Sequence, residues 1–202
     1  MKKYNIEKEN SNFQPRKVFL FSGHMIDAKN RKEPRFPEKK SKIAGEKILK
    51  ALKALNANEN DLALTQGACG GDLLFTEACQ SLGVKVMWLQ PFDEPTFLDK
   101  SVKPCGDSWK DRYDVCSESL YGQIHSAPTE LGKIPKDIES INPYERCNRW
   151  LLYTALSYGI EKVNFVTLWD GKGGDGPGGT GHMYKEVKYK TGNVTWIKVD
   201  EL

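Results

Sequence analysis

Much of what this chain could be is removed by what it lacks. No apolar run approaches the roughly 18–20 residues that would span a bilayer. The first ten residues are basic at Lys2 and Lys3 but contain no apolar stretch of signal-peptide type, so the expected compartment is the cytoplasm. Its cysteines, at 69, 79, 105, 116 and 147, show no CxxC spacing, and an odd number of scattered cysteines reads as reduced thiols in that compartment. His24 has no His, Cys, Asp or Glu nearby at metal-ligand spacing, so no metal is expected, and no cofactor is expected either. There is no GxGxxG fingerprint, no Walker lysine after a glycine loop, and no GxSxG elbow, which sets aside the common dinucleotide, triphosphate and serine-hydrolase patterns. No internal repeat or low-complexity block interrupts the sequence.

Net charge is also small, at +3, but it is unevenly spread. Residues 1–53 carry 15 Lys/Arg against 6 Asp/Glu, a surplus of nine, and the remainder carries 15 against 21. A basic edge attracts a nucleotide or a nucleic acid, whereas lysines without interleaved aromatics equally describe a solvated helix face.

What is present is a regular alternation of strand-like and helix-like segments. Val18–Phe21 is a short apolar run with the character of a central parallel strand. From Glu38 to Leu55, apolar residues at 44, 48, 51, 52 and 55 form a helical stripe. Strands are predicted around Leu62–Leu64, over Val84–Leu89, over Lys162–Trp169 and over Val194–Val199, with a short one through Leu120–Ile124. Helices are predicted after Asp72, which stands where an N-cap is wanted, over about Ser108–Glu118, over Tyr144–Tyr158 and near His182–Lys188. Residues 1–14 read as a flexible tail, and the stretch 91–106, with three prolines and no periodicity, as an irregular lid or edge loop. The pattern predicts a single α/β domain over 15–202, a Rossmann-like parallel sheet in a three-layer sandwich. Right-handed crossovers place every strand C-terminus on one edge, where open α/β sheets bind ligands.

Three turns fall on that edge. The segment Asp170–His182 holds seven glycines in thirteen residues, and Gln66-Gly-Ala-Cys-Gly-Gly-Asp72 is a second glycine-rich strand-to-helix turn. Glycine backbones let N–H groups face an anion, and a helix beginning just afterwards adds its positive end. Candidate ligand contacts are therefore Gly67, Cys69, Gly70, Gly71 and Asp72 in the first loop, and Asp175, Gly178, Gly179, Thr180 and His182 in the second. Gly23, His24 and Met25, after the first strand, are a third set. Arg31, Arg35, Arg112, Arg146 and Arg149 are the cations available to a phosphate, with at most one of Arg146 and Arg149 facing the site squarely. Asp72, Glu77, Asp175 and Glu186 are the carboxylates near the edge that suit acid/base work. The residues alone leave open a tight turn with packing glycines at 66–72, a capping role for Asp72 and a structural role for His182.

Thr65–Asp72 with Ala78, and Pro177-Gly-Gly-Thr-Gly181 after Arg146 and Arg149, resemble the SLOG superfamily of Rossmann-like nucleotide binders, which includes a DNA-processing branch and the Lonely Guy phosphoribohydrolases. Phe21–Asp27, Arg35-Phe-Pro37, Gly67–Asp72, Ser101-Val102, Trp109–Arg112, Asn142–Trp150 and Leu168–Met183 together resemble a bacterial, signalling-associated branch of it, over roughly residues 16–200. At the position of the Lonely Guy catalytic glutamate this chain has Tyr184, with Glu186 two residues later. The resemblance implies sensing or sequestration of a nucleotide-derived signal, such as a cyclic nucleotide or an ADP-ribose relative, in a defence-type setting. It implies as partners that small molecule, a separate effector protein and further copies of the chain in a dimer or larger oligomer, with no membrane. A second expectation is a nucleotide hydrolase acting on an N-glycosidic or phosphate bond, with Glu186, Asp72 or His182 as acid/base. A third is single-stranded DNA binding.

Overall fold

In the computed structural model, residues 13–28, 31–135, 141–173 and 178–202 are described. The chain runs β1 (Val18–Gly23), α1 (Ser41–Ala54), β2 (Leu62–Thr65), α2 (Gly71–Ser81), β3 (Lys85–Gln90), α3 (Glu94–Ser101), α4 (Asp107–Ser117), β4 (His125–Ser126), α5 (Ala127–Glu130), α6 (Pro143–Ser157), β5 (Val163–Trp169), α7 (Thr180–Lys190) and β6 (Val194–Lys198). Among the described residues these strands form one sheet in the order β4-β3-β2-β1-β5-β6, with every pairing parallel.

Alternation along β1 explains the layering. Val18 and Leu20 point to one face, Phe19 and Phe21 to the other, and all four are buried, as a central parallel strand requires. The Phe19/Phe21 face packs on Ala44, Ile48 and Leu52 of α1, on α2, and on Trp109 and Tyr113 of α4. The Val18/Leu20 face packs on Cys147, Leu151, Leu152 and Ala155 of α6 and on Met183 and Val187 of α7. The result is the α/β/α sandwich of a Rossmann-like fold. Strand order reverses between β1 and β5, whose following helices lie on opposite faces, and this opens a crevice above the strand C-termini.

Several expectations need correction. The 91–106 stretch is not an irregular loop: Asp93 accepts from the Thr96 amide at 3.0 Å, Pro95 sits in the first turn, and eight residues of helix follow. That helix is too short to display a period, and it buries Phe97 and Ser101. Residues 120–124 are not a strand; the edge strand is His125–Ser126, paired with Leu89–Gln90, while Tyr121 contributes one amide bond to Val86 O at 2.7 Å. Asp72 does not cap α2, because Gly70 occupies that position. The expected tail lies outside the described residues up to 12, but Phe13 packs on Tyr121 at 5.5 Å with the Lys85 ammonium over its ring. Nor are all five cysteines thiols: Cys69 and Cys105 form a disulfide, and Cys79, Cys116 and Cys147 are free and buried. Two lysines of the basic N-terminal half have defined work, Lys40 donating to Val199 O at 2.8 Å and Lys47 to Glu201 O at 2.6 Å.

The start of the sheet is fixed by one carboxylate. Asp61, wholly buried, accepts from Arg16 Nε (3.0 Å) and Nη2 (2.8 Å), Lys17 N (3.1 Å) and Asn58 N (2.9 Å). Asp61→Ala strands these donors and is expected to cost about 3 kcal/mol. A urea titration checks this, and an unchanged midpoint would contradict it.

Candidate functional site

The turns after β1, β2 and β5 meet at the crevice and enclose a cavity of about 400 Å³. Ser22 to Ala28 form one side, and Gln66, Ala68 and Asp72 the floor beneath α2. Ser101, Pro104 and Cys105 close the α3 side. Tyr144 and Asn148 of α6 and Gly178–Thr180 at the start of α7 complete the opposite wall.

A relay of amides ties the two glycine-rich turns together. The Gln66 side-chain amide donates to Asn148 Oδ1 at 2.9 Å, and the Asn148 amide donates to Gly178 O at 2.7 Å. Gln90, wholly buried, donates to Gln66 O at 3.2 Å from behind. Gly178 has φ +86°, and a Cβ there would lie 2.5 Å from Tyr144 Cβ and 2.6 Å from Glu145 N, so only glycine lets this turn sit against the first turn of α6. That turn is itself set by Asn142, whose side chain accepts from the Tyr144 and Glu145 amides, with Pro143 following.

The 66–72 turn is built for close approach. Gly70 (φ +91°) lies against the β1 turn, where a Cβ would meet Ile26 N at 2.6 Å, and the Gly71 amide donates to His24 O at 2.9 Å. Gly67 (φ +84°) lies on the Trp88 ring, and Cys69 donates its amide to Ser101 O at 2.8 Å. None of Gly67, Cys69, Gly70 and Gly71 lines the cavity among the described residues. Asp72 turns back instead, accepting from Gln66 N at 3.2 Å and Ala68 N at 3.4 Å, and it does line the cavity. Burial pushes its carboxyl up to about 6, against the opposing pull of the loop amides.

Above it, His24, Arg35 and Asp170 bind the β1 and β5 turns. His24 Nε2 lies 3.2 Å from the Asp170 amide and 3.1 Å from its Oδ1, and Arg35 Nε donates to Asp170 Oδ2 at 3.1 Å. The Arg35 guanidinium lies 3.4 Å from both ring nitrogens of His24 and donates to Gly173 O at 3.3 Å. Burial would raise the Asp170 carboxyl, but the Lys172 amide, His24 and Arg35 outweigh it and hold it below the usual range. Asp27 accepts from Arg35 N at 2.8 Å and pairs with Arg31 at 3.4 Å. The cavity therefore matches cations (Arg31, Arg35) with carboxylates (Asp27, Asp72).

Of the expected contacts, Gly23, His24, Met25, Arg35, Asp72, Gly178, Gly179 and Thr180 line this cavity. Arg146 turns away, donating to Leu131 O at 2.5 Å and Gly132 O at 2.8 Å, and Arg149 is exposed. Arg112 pairs with Glu77 at 2.5 Å on the α2/α4 side. His182 lies outside the lining, its Nε2 3.8 Å from Glu145 and 3.9 Å from Glu186. Glu186 accepts from Lys190 at 2.9 Å, an interaction that lowers its carboxyl, and it does not reach the cavity. Asp175 lies outside the described residues. Gln66, Asn148, Tyr144, Asp27 and Ser101 were not anticipated as contacts. For Asn148 the signal was helical phase, since it lies four residues after Tyr144 and beside buried Cys147.

Fold and cavity together define an α/β protein of the parallel, Rossmann-like kind with a cleft at the point where strand order reverses. No protein-family model and no curated protein matches the chain. Among the described residues no helix is long and apolar enough to cross a membrane, and no cluster of three His, Cys, Asp or Glu could hold a metal.

The Asp72 carboxyl gives a pH signature. With a folded value of about 6 above an ordinary 3.8, the folded state holds the proton more tightly through that window. Stability then falls as pH rises from about 4 to about 6 and is level above it, a contribution of about 3 kcal/mol. Urea titrations across this range on wild type and Asp72→Asn test it: the variant's profile should be flatter, and identical slopes would contradict it.

Proposed function

We propose that this chain is a SLOG-like domain that binds a nucleotide or nucleotide-derived signal bearing few negative charges, such as a nucleoside monophosphate, a cyclic nucleotide or an ADP-ribose relative. The carrying observation is the shared cavity of about 400 Å³ that the β1, β2 and β5 turns enclose. That volume lies in the usual range for small-molecule sites. The phosphate belongs at the first turn of α7. There the amides of Thr180 and Gly181 have no intrahelical acceptor, whereas those of His182 and Met183 return to Gly179 O at 3.0 and 3.3 Å. Arg35 and Arg31 add cationic character, and Asp27 and Asp72 supply acceptors for ribose hydroxyls. A cavity that balances its cations with carboxylates favours one phosphate over a triphosphate chain.

A hydrolase reading is favoured by one observation, the Asp72 carboxyl placed in the cavity and raised to about 6, the range useful for acid/base work near neutrality. Glu186 and His182 do not line the cavity with it.

Calorimetric titration with adenosine monophosphate, 3′,5′-cyclic AMP and ADP-ribose, beside a mass spectrum of small molecules released from denatured protein, tests the proposal. At least one nucleotide should bind, and Arg35→Gln should weaken it about tenfold, near 1.4 kcal/mol. No nucleotide bound and none released would overturn it. Free base appearing during the titration, and lost in Asp72→Asn, would select the hydrolase.

A further inference from the structure

We propose that Cys105 is a redox-modifiable residue in the cavity wall, with Cys69 as its resolving partner, so that the bond between them opens and closes reversibly by reaction at the Cys105 sulfur. The two sulfurs differ in access. Cys69 is wholly buried beneath the 66–72 turn, whereas Cys105 is half-buried and lines the cavity beside Ser101 and Pro104. A reagent entering from the cavity meets Cys105 first.

Cys105 stands two residues before the eleven-residue helix α4, which carries Asp107 in its first turn. Backbone contacts hold both residues independently of the sulfur–sulfur bond. The Cys69 amide donates to Ser101 O at 2.8 Å, the Cys105 amide donates to Val102 O at 3.1 Å, and the Cα atoms are 6.4 Å apart, within the span a disulfide accepts. Reduced, the Cys105 thiol has an acceptor at hand, its Sγ lying 3.7 Å from Ile26 O. The other cysteines have no comparable setting: burial raises the Cys79 thiol well above its ordinary value, Cys116 to about 12, and Cys147 strongly upward.

The chemistry balances with a hydroperoxide as oxidant and a dithiol as reductant. The Cys105 thiolate attacks the terminal peroxide oxygen, forming sulfenic acid and releasing alkoxide, or hydroxide when the oxidant is hydrogen peroxide; the Cys69 thiol displaces water from that sulfur, and two electrons have passed to the peroxide. In the reverse direction a dithiol's thiolate attacks Cys105 Sγ, and Cys69 leaves as a thiolate that takes up a proton. The second thiol of the reductant then frees Cys105 and closes a cyclic disulfide. The bond joins the β2–α2 turn to the segment after α3, a covalent tie across one wall of the cavity. Its effect on ligand binding rests on the reading proposed above; the reactivity at Cys105 does not.

The test uses the full chain, reduced with dithiothreitol, freed of reductant and kept folded. Timed N-ethylmaleimide labelling with peptide mapping should modify Cys105 at least about tenfold faster than Cys69, Cys79, Cys116 or Cys147. Stoichiometric hydrogen peroxide should restore the linked 69–105 peptide, and Cys69→Ser, which keeps Cys105, should instead accumulate dimedone-reactive sulfenic acid at Cys105. Equal labelling of all five, or peroxide leaving residues 69 and 105 unlinked, would overturn the proposal. If these results hold while no nucleotide binds in either redox state, the redox site stands and the ligand reading falls.

Discussion

The site depends on a short chain of side-chain amides, Gln66 to Asn148 to the Gly178 carbonyl, that spans the crevice between two glycine-rich turns. Each bond is worth only about 1 kcal/mol net, but breaking one strands a half-buried polar group at a cost of about 1–3 kcal/mol. The chain works because Gly178 presses on the first turn of α6, where no side chain fits, and because Gln90 holds the Gln66 carbonyl from the sheet side. With the relay in place, turns more than a hundred residues apart line one cavity.

Charge is arranged by the same economy. Asp170 pairs with Arg35 and contacts His24 at the junction of the β1 and β5 turns, and Asp27 draws in Arg31 and the Arg35 amide. Asp72 fills the position below α2 that an anion would otherwise take. Among the described residues, the one helix start that opens to the cavity without a carboxylate in its own first turn is that of α7. This asymmetry orients the proposed ligand, phosphate toward α7 and hydroxyls toward the acidic side.

Much of the fold was legible because burial on both faces of a strand writes itself as an apolar run. Val18–Phe21 and Val163–Trp169 are such runs, and they are the paired strands that create the crevice. The stripe at 44, 48 and 52 showed α1 for the same reason. Segment α3 was hidden because prolines that start a helix look like prolines that forbid one until the Asp93 cap is seen. In the site, glycine content marked two of the turns that meet at the cavity. At 67, 70 and 71 the missing Cβ admits Trp88 and the β1 turn. Arg146 and Arg149 drew attention by charge, yet the buried face of α6 runs through 147, 148, 151, 152 and 155, and a helical turn of 3.6 residues carries both arginines off it. Long-range pairing such as Cys69 with Cys105 has no local signature at all.

The most direct measurement is a crystal structure of the protein with adenosine monophosphate. The account predicts the phosphate within hydrogen-bond distance of the Thr180 and Gly181 amides, and the ribose on the side of Asp27 and Asp72, with the Gln66–Asn148–Gly178 relay intact. A phosphate seated on Gly70–Gly71 or on Arg146 or Arg149, or the three turns separated with no shared cavity, would contradict it.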